Sequence, residues 1–445
     1  MDRSRHDMTG LSGARRTIAA ASLGNMLEWY DFTVYALFAL YIAAAFFPDP
    51  DPASALIQTF LAFGIGFLVR PAGALLLGAY ADRHGRKAAL TFTIILMAVG
   101  TGLIAIAPPA AVIGVGAPLL LLTGRALQGF SAGGEVGGAL SFLVEHAPPG
   151  RRAEYAAWLQ ASMAASNLLG AFMAFLLTHL LSPAAMGLWG WRVAFAVGLL
   201  IAPLGLWLRR TLDETPEYRL HADARATHLS DVRPLRTFLA AVRQRPSVLL
   251  AGIGISILWT SGSYALVIFF PTYAQRTLGF SAGQAFTASL VSNVAMVGAC
   301  LSGGRLADRI GHRRLLLILA AILCVAPHPL LWIAASTSST ATLTVVQSLL
   351  CAAVGLFVGA APAALSALFP VGIRATGSSI AYNIAVMLFG GFAPAILSWL
   401  ISRGQPFAPA WYVSVAALLA LPALFALHRT RHIEPSGLAP AGIAS

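Results

Sequence analysis

Charge is scarce in this chain. Only 10% of its 445 residues are Asp, Glu, Lys or Arg, and 58% are apolar. A soluble globular protein carries roughly 25% charged residues, so an ordinary water-soluble enzyme is excluded. Lysine is almost missing: of 29 basic residues, Lys87 is the one that is not arginine. The three cysteines, Cys300, Cys324 and Cys351, fall inside apolar runs without metal-ligand spacing. They read as buried packing, and no metal site is expected. The chain also lacks an ATPase-type phosphate loop and the HExxH pattern. No ATP drive, no cofactor and no enzymatic activity are therefore expected.

Long apolar runs are what the chain has in abundance. About 20 mainly apolar residues carry a helix across a bilayer. Twelve such runs lie near 17–47, 55–80, 88–107, 117–142, 153–181, 191–208, 247–275, 283–304, 313–334, 341–369, 375–401 and 408–428. The first is too long and too acidic in its middle for a cleavable signal peptide. A polar stretch, 209–246, separates six runs from six and contains Pro216, Pro234 and Pro246. The expected organisation is a tail (1–16), a six-helix bundle (17–208), a linker (209–246), a second bundle (247–428) and a tail (429–445).

The net charge of +12 would suggest nucleic acid in a soluble protein. Its distribution argues otherwise. With the N-terminus in the cytoplasm, 24 of the 29 basic residues fall on the cytoplasmic side. Arg192, Arg276 and Arg403 lie opposite, where the loop Pro48–Pro52 carries Asp49 and Asp51. This asymmetry is the positive-inside signature, and it predicts both termini in the cytoplasm. The partner is then the lipid bilayer, not nucleic acid.

The halves repeat in parallel. Gly78, Asp82, Arg83 and Gly85 recur 226 residues later as Gly304, Asp308, Arg309 and Gly311. Tyr35-Ala36-Leu37 recurs 229 residues later as Tyr264-Ala265-Leu266, and Arg152-Ala153 recurs 222 residues later as Arg374-Ala375. Parallel repeats of this kind build carriers whose two bundles rock around a midplane site. The expected fold is an all-α membrane protein of twelve transmembrane helices in two parallel-repeat six-helix bundles.

The stretches GAYADRHGRK (78–87), GRLADRIGHRR (304–314) and RALQGFSAGGE (125–135) resemble motifs of the major facilitator superfamily. More narrowly, GNMLEWYDF (24–32), FLVRPAG (67–73), WGWRVAF (189–195), LRRTLDETPEY (208–218) and FPVGIRATGSSIAYN (369–383) resemble its metabolite–proton symporter family. The resemblance spans about residues 18 to 428. It implies proton-coupled transport of a metabolite such as citrate, 2-oxoglutarate, shikimate, betaine or proline, in a bacterial inner membrane. A functional monomer is expected.

Five charges stand out within the runs, away from their ends: Glu28 and Asp31, Arg70, Arg125 and Glu135. A charge at mid-bilayer costs from roughly 2.5 to more than 10 kcal/mol, so each is a functional candidate. All five are in the first half, whereas runs seven to twelve hold no acid. Asn25, Glu28, Asp31 or Phe32, and Tyr35 share one helical stripe. Burial disfavours the ionised form of a carboxylate, which makes Glu28 or Asp31 a candidate proton carrier. The alternative is a fixed counter-ion to Arg70 or Arg125, and spacing does not choose between the two acids.

Arg125 offers a planar fork suited to a carboxylate, with coupling partner and gate as rival roles. The resemblance associates the arginine of this motif with proton coupling. Glu135, seven residues past Gln128, joins that group as a coupling candidate nearer the cytoplasm. Asn25, Arg70, Arg125, Gln128, Tyr264, Tyr382 and Asn383 are candidate substrate-binding residues, with gating an equal option for Arg70. Gly78, Asp82, Arg83, Arg86, Asp308, Arg309 and Arg313 form a candidate cytoplasmic gate, or else a mere topology signal.

The expected function is proton symport of a small organic anion, a di- or tricarboxylate such as citrate. The alternative is a zwitterion, betaine or proline; osmosensing carriers of that type have a long heptad-bearing tail that this chain lacks. A drug–proton antiporter is disfavoured, because the fifth run reads WLQASMAASNLLGAF (158–172) and not the Gly-Pro-rich motif of such exporters.

Overall fold

The computed structural model describes residues 25–26, 28–84, 86–211, 243, 246–370 and 373–427. The expected tails 1–16 and 429–445 and most of the linker 209–246 lie outside them. So do the side chains of Asp82, Arg83, Arg86 and Glu135 and the packing around Gly78.

Every described element is helical, and the elements line up as twelve rods. We number them α1 (Glu28–Leu37 with Ala39–Phe46), α2 (Pro52–Leu68 with Arg70–His84), α3 (Arg86–Ile106) and α4 (Gly116–Ser131 with Glu135–Glu145). Next come α5 (Arg152–Leu180), α6 (Pro183–Ala185 through Trp191–Thr211), α7 (Pro246–Ser263 through Phe270–Arg276) and α8 (Ala282–Ile310). The last four are α9 (His312–Val325 with Pro327–Ala335), α10 (Thr340–Ala367), α11 (Arg374–Val386 through Ala393–Ser402) and α12 (Ala408–Ala426).

Among the described residues, nine rods are long and apolar enough to cross a bilayer unaided, and the bent pair of α1 makes a tenth. Of the other two, α3 presents the shorter apolar stretch Thr91–Ile106 among the described residues. A tight turn at Ala132–Gly134 interrupts α4, where two consecutive glycines weaken the helix. The outward faces carry side chains such as Leu76, Ile106, Val115, Leu188 and Trp332, each more than 60% exposed. Such faces are matched to hydrocarbon, and the protein is a multi-pass membrane protein.

Local chemistry sets the helix ends and breaks. Asp51 caps α2, accepting from the amides of Ala53 (3.0 Å) and Ser54 (3.1 Å), with Pro52 in the first turn. A reciprocal Ser281–Gln284 capping box starts α8, and Gly311 ends it at φ 89°. The sequence reading missed the breaks inside the rods. Wide turns occupy Tyr264–Ile268 in α7 and Met387–Gly391 in α11, each ending three residues before a proline, Pro271 and Pro394. A proline ring cannot accommodate the carbonyl four residues back, Val267 or Gly390, and the widened turn moves it aside. The bend in α1 is 71° and falls at Phe38. Shifted by the 229-residue repeat, that position is Val267, so both halves break their first helix at the same place.

Packing follows small residues. At Gly129 a side chain would run into the Gly66 backbone, and at Gly73 into that of Phe130, which locks α2 against α4. Gly303 and Gly359 do the same for α8 and α10, against Leu356 and Cys300. The two bundles meet through α5 against α8 and α10, and through α2 and α4 against α11.

Candidate functional site

The buried charges gather where α1, α2, α3 and α4 converge. Arg125, fully buried on α4, donates Nη1 to Gln128 Oε1 (2.8 Å) and Nη2 to the Phe63 carbonyl (3.4 Å). Its guanidinium stacks on Phe32 (4.6 Å), Tyr35 (4.6 Å) and Phe63 (4.9 Å). Gly66 lets it in: a side chain there would sit 3.1 Å from Nη2.

Arg70 begins the second half of α2 and is also fully buried. Its guanidinium lies over Trp29 (4.9 Å), Phe32 (4.8 Å) and Phe67 (4.4 Å). Among the described residues, none of its Nε, Nη1 and Nη2 has a hydrogen-bond partner. Aromatic faces attract a cation but accept no conventional hydrogen bond, so this guanidinium is held in position without being satisfied. From the other bundle the buried Tyr264 hydroxyl, also unpartnered, comes within electrostatic reach of both arginines. Its ring packs on Phe63 (6.2 Å) and Phe67 (5.4 Å).

The acids divide. Asp31 is buried, accepts from the Thr101 hydroxyl through Oδ2, and leaves Oδ1 without a partner. It makes no direct ion pair with Arg125: Gln128 Nε2 donates to Thr101 (2.9 Å), so the two charges are joined through a neutral bridge. Glu28, one turn earlier, is partly exposed and lies within electrostatic range of Tyr382.

The remaining candidates fall as follows. Asn25 donates to the Leu159 carbonyl (3.3 Å) and Ser162 (2.8 Å), tying α1 to α5. Tyr382 packs on Trp259 at 4.7 Å and is within electrostatic range of Arg70. Asn383 donates across the bundle interface to the Gly133 carbonyl (3.2 Å). Sequence reasoning missed Thr101, because a lone threonine in an apolar helix carries no spacing signal.

Contacts join the bundles at both ends of the interface. At the end bearing the repeated charged motif, Asp308 accepts from the amides of Ala153 (3.0 Å) and Glu154 (2.8 Å), capping α5 from the opposite bundle. Glu154 bridges Arg151 (2.7 Å) and Arg305 (3.0 Å), and Arg374 reaches Glu145 (3.3 Å). Of the other predicted gate residues, Arg309 is exposed and Arg313 lies 6.0 Å from the Phe425 ring. At the opposite end, Phe38 meets Phe286 (6.0 Å), Phe60 meets Phe269 (5.6 Å), and Phe392 fills the notch at Gly64.

Known proteins share this architecture. A profile of the Major Facilitator Superfamily matches residues 21–384. The chain is 37% identical over 424 residues to a citrate-proton symporter of Klebsiella pneumoniae, covering 95% of this chain and 94% of that one. It is 32% identical over 432 residues to the proline/betaine transporter of Escherichia coli (strain K12), covering 96% and 86%. A crystal structure of a D-xylose-proton symporter superposes with a TM-score of 0.73 at 19% identity, covering 94% and 98%, which shows a common fold. With the profile, the identity and the twelve helices in agreement, the chain belongs to the major facilitator superfamily and is a membrane transporter.

Proposed function

We propose that this protein is a proton-coupled symporter that takes up a small organic anion, a di- or tricarboxylate of the citrate type, by alternating access. The observation that carries this reading is Arg70: a fully buried guanidinium with three unpartnered nitrogens, held open by aromatic rings. An unpaired buried charge is costly, and a substrate carboxylate meets that demand in the planar geometry a guanidinium prefers. Arg125 is the second cationic group, and Tyr264, Tyr382 and Asn383 supply neutral contacts from the other bundle. Asp31 is the proton carrier in this reading, with Glu28 and Glu135 as further acids of the coupling path.

The basic end faces the cytoplasm, with both termini there, in a bacterial inner membrane. Asp308 caps α5 of the facing bundle and forms the gate with Gly78, Asp82, Arg83, Arg86, Arg309 and Arg313. The transporter acts as a monomer, without a cofactor, driven by the proton gradient.

A second reading, symport of betaine or proline, is favoured by the aromatic rings around the site and by the proline/betaine relatives. Uptake into reconstituted vesicles separates the two. Radiolabelled citrate, succinate, 2-oxoglutarate and betaine are offered with and without an inward proton gradient. Gradient-stimulated uptake of a carboxylate is expected. Betaine uptake with silent acids would establish the second reading instead.

A further inference from the structure

The bridge between Asp31 and Arg125 has its donors and acceptors fixed by chemistry. Arginine only donates, so Gln128 turns Oε1 to Arg125 (2.8 Å). Gln128 Nε2, a donor only, then faces Thr101 Oγ1 at 2.9 Å, and Thr101 must accept. This leaves Thr101 one lone pair, one proton and two neighbours: Asp31 Oδ2 and the Met97 carbonyl at 3.0 Å. Two complete arrangements follow. With Asp31 ionised, Thr101 donates to the carboxylate. With Asp31 protonated on Oδ2, the acid donates to the threonine oxygen and the threonine proton turns to Met97.

We propose that Thr101 is a positioning residue for proton transfer, its hydroxyl rotating between Asp31 and the Met97 carbonyl so that both protonation states of Asp31 stay hydrogen-bonded and linked to Arg125. This rests on Asp31 being the proton carrier. The proton arriving at Oδ2 stays on Asp31, and the hydroxyl changes direction without losing its own proton. The polarity of the bridge therefore reports the state of Asp31 to Gln128 and to the guanidinium that Gln128 holds.

The other neighbours of Asp31 cannot take this role. Among the described residues, Arg125 of α4 and Tyr30 of its own helix are the charged or titratable groups within electrostatic range. Tyr30 donates its hydroxyl to the Ala194 carbonyl (3.0 Å). From α6 the carboxylate meets Gly198, which has no side chain to offer. From α3 it meets Thr101.

The test is an infrared pH titration of the purified full-length protein in lipid vesicles, following the carboxylic-acid carbonyl band that Asp31→Asn removes. Thr101→Val keeps the shape and removes the hydroxyl. Its midpoint is expected about one pH unit above the wild type, the excess of a hydrogen bond to the ionised acid over one to the protonated acid. Thr101→Ser, which restores the hydroxyl, is expected to titrate like the wild type; this rescue separates the role from simple packing. Should the valine variant fail to fold, Thr101→Ala carries the same expectation. Coincident midpoints for the wild type and the hydroxyl-free variant, or a serine variant displaced like valine, overturn the proposal alone. A wild type with no titrating band that Asp31→Asn removes overturns the assignment of Asp31 itself, and the role of Thr101 with it.

Discussion

Arg70 and Arg125 share the ring of Phe32, with guanidinium carbons 4.8 and 4.6 Å from its centroid, yet they are equipped differently. Arg125 is tied into Gln128 and a backbone carbonyl, whereas Arg70 lies over aromatic faces and has no hydrogen-bond partner among the described residues. The difference predicts unequal tolerance. Arg70→Lys replaces a planar fork with a point charge too compact for the same ring contacts and carboxylate geometry. Carboxylate uptake should fall at least roughly 30-fold, the lower end of the loss when a buried charge loses its partner. Initial rates in vesicles check this, and near-normal uptake by the lysine variant would remove Arg70 as the anchor. The five embedded charges were legible in the sequence because charge inside an apolar run is conspicuous. Thr101 was not: a buried threonine usually satisfies itself on the carbonyl four residues back, as Thr101 also does on Met97.

At the level of elements, the weight falls on helix ends and close helix pairs. Asp308 satisfies two first-turn amides of α5 across the bundle interface. Asp308→Ala leaves them bare, at a cost of about 0.5–2 kcal/mol, which favours the conformation open at this end by roughly 2- to 30-fold. The check is labelling at Ser379→Cys, a position packed on Gly137, with a membrane-impermeant maleimide. Cys300 and Cys351 are buried, and the partly exposed Cys324 is replaced by alanine in both backgrounds. Labelling should accelerate in the Asp308→Ala background, and an unchanged rate would deny the latch. For the α2–α4 pair, Gly129→Ala forces a methyl group into the Gly66 backbone. A stability loss of roughly 1–3 kcal/mol is expected, read as a lower unfolding temperature in detergent. Rod positions were legible from apolar runs, because twenty apolar residues have few other uses. The breaks were not: the prolines Pro271 and Pro394 are visible in sequence, but the widened turns lie upstream of them.

Among the described residues, contacts join the two bundles at both ends, through polar caps and ion pairs at one and aromatic rings at the other. The two kinds of seal respond differently to water. Ion pairs and capped amides exchange readily for hydration, while the aromatic seal opens only by exposing apolar surface. Filling the Arg70 demand with a carboxylate and neutralising Asp31 with a proton removes the buried charges that would otherwise resist closure, so the two ligands favour the closed form together. The repeat explains why the two halves share a scaffold but not a charge inventory: Asp31 and Glu28 correspond to Thr260 and Ile257 in the second half. In the proposed reading coupling therefore belongs to the first bundle, and the second supplies the moving wall. The central claim is that one carboxylate and at least one proton cross together. It is tested most directly in vesicles loaded with a pH-sensitive dye, to which citrate or another transported carboxylate is added outside without an imposed gradient. The account predicts that carboxylate entry acidifies the lumen, and that Arg70→Ala and Asp31→Asn abolish the acidification. Carboxylate entry with no change in lumenal pH would contradict it.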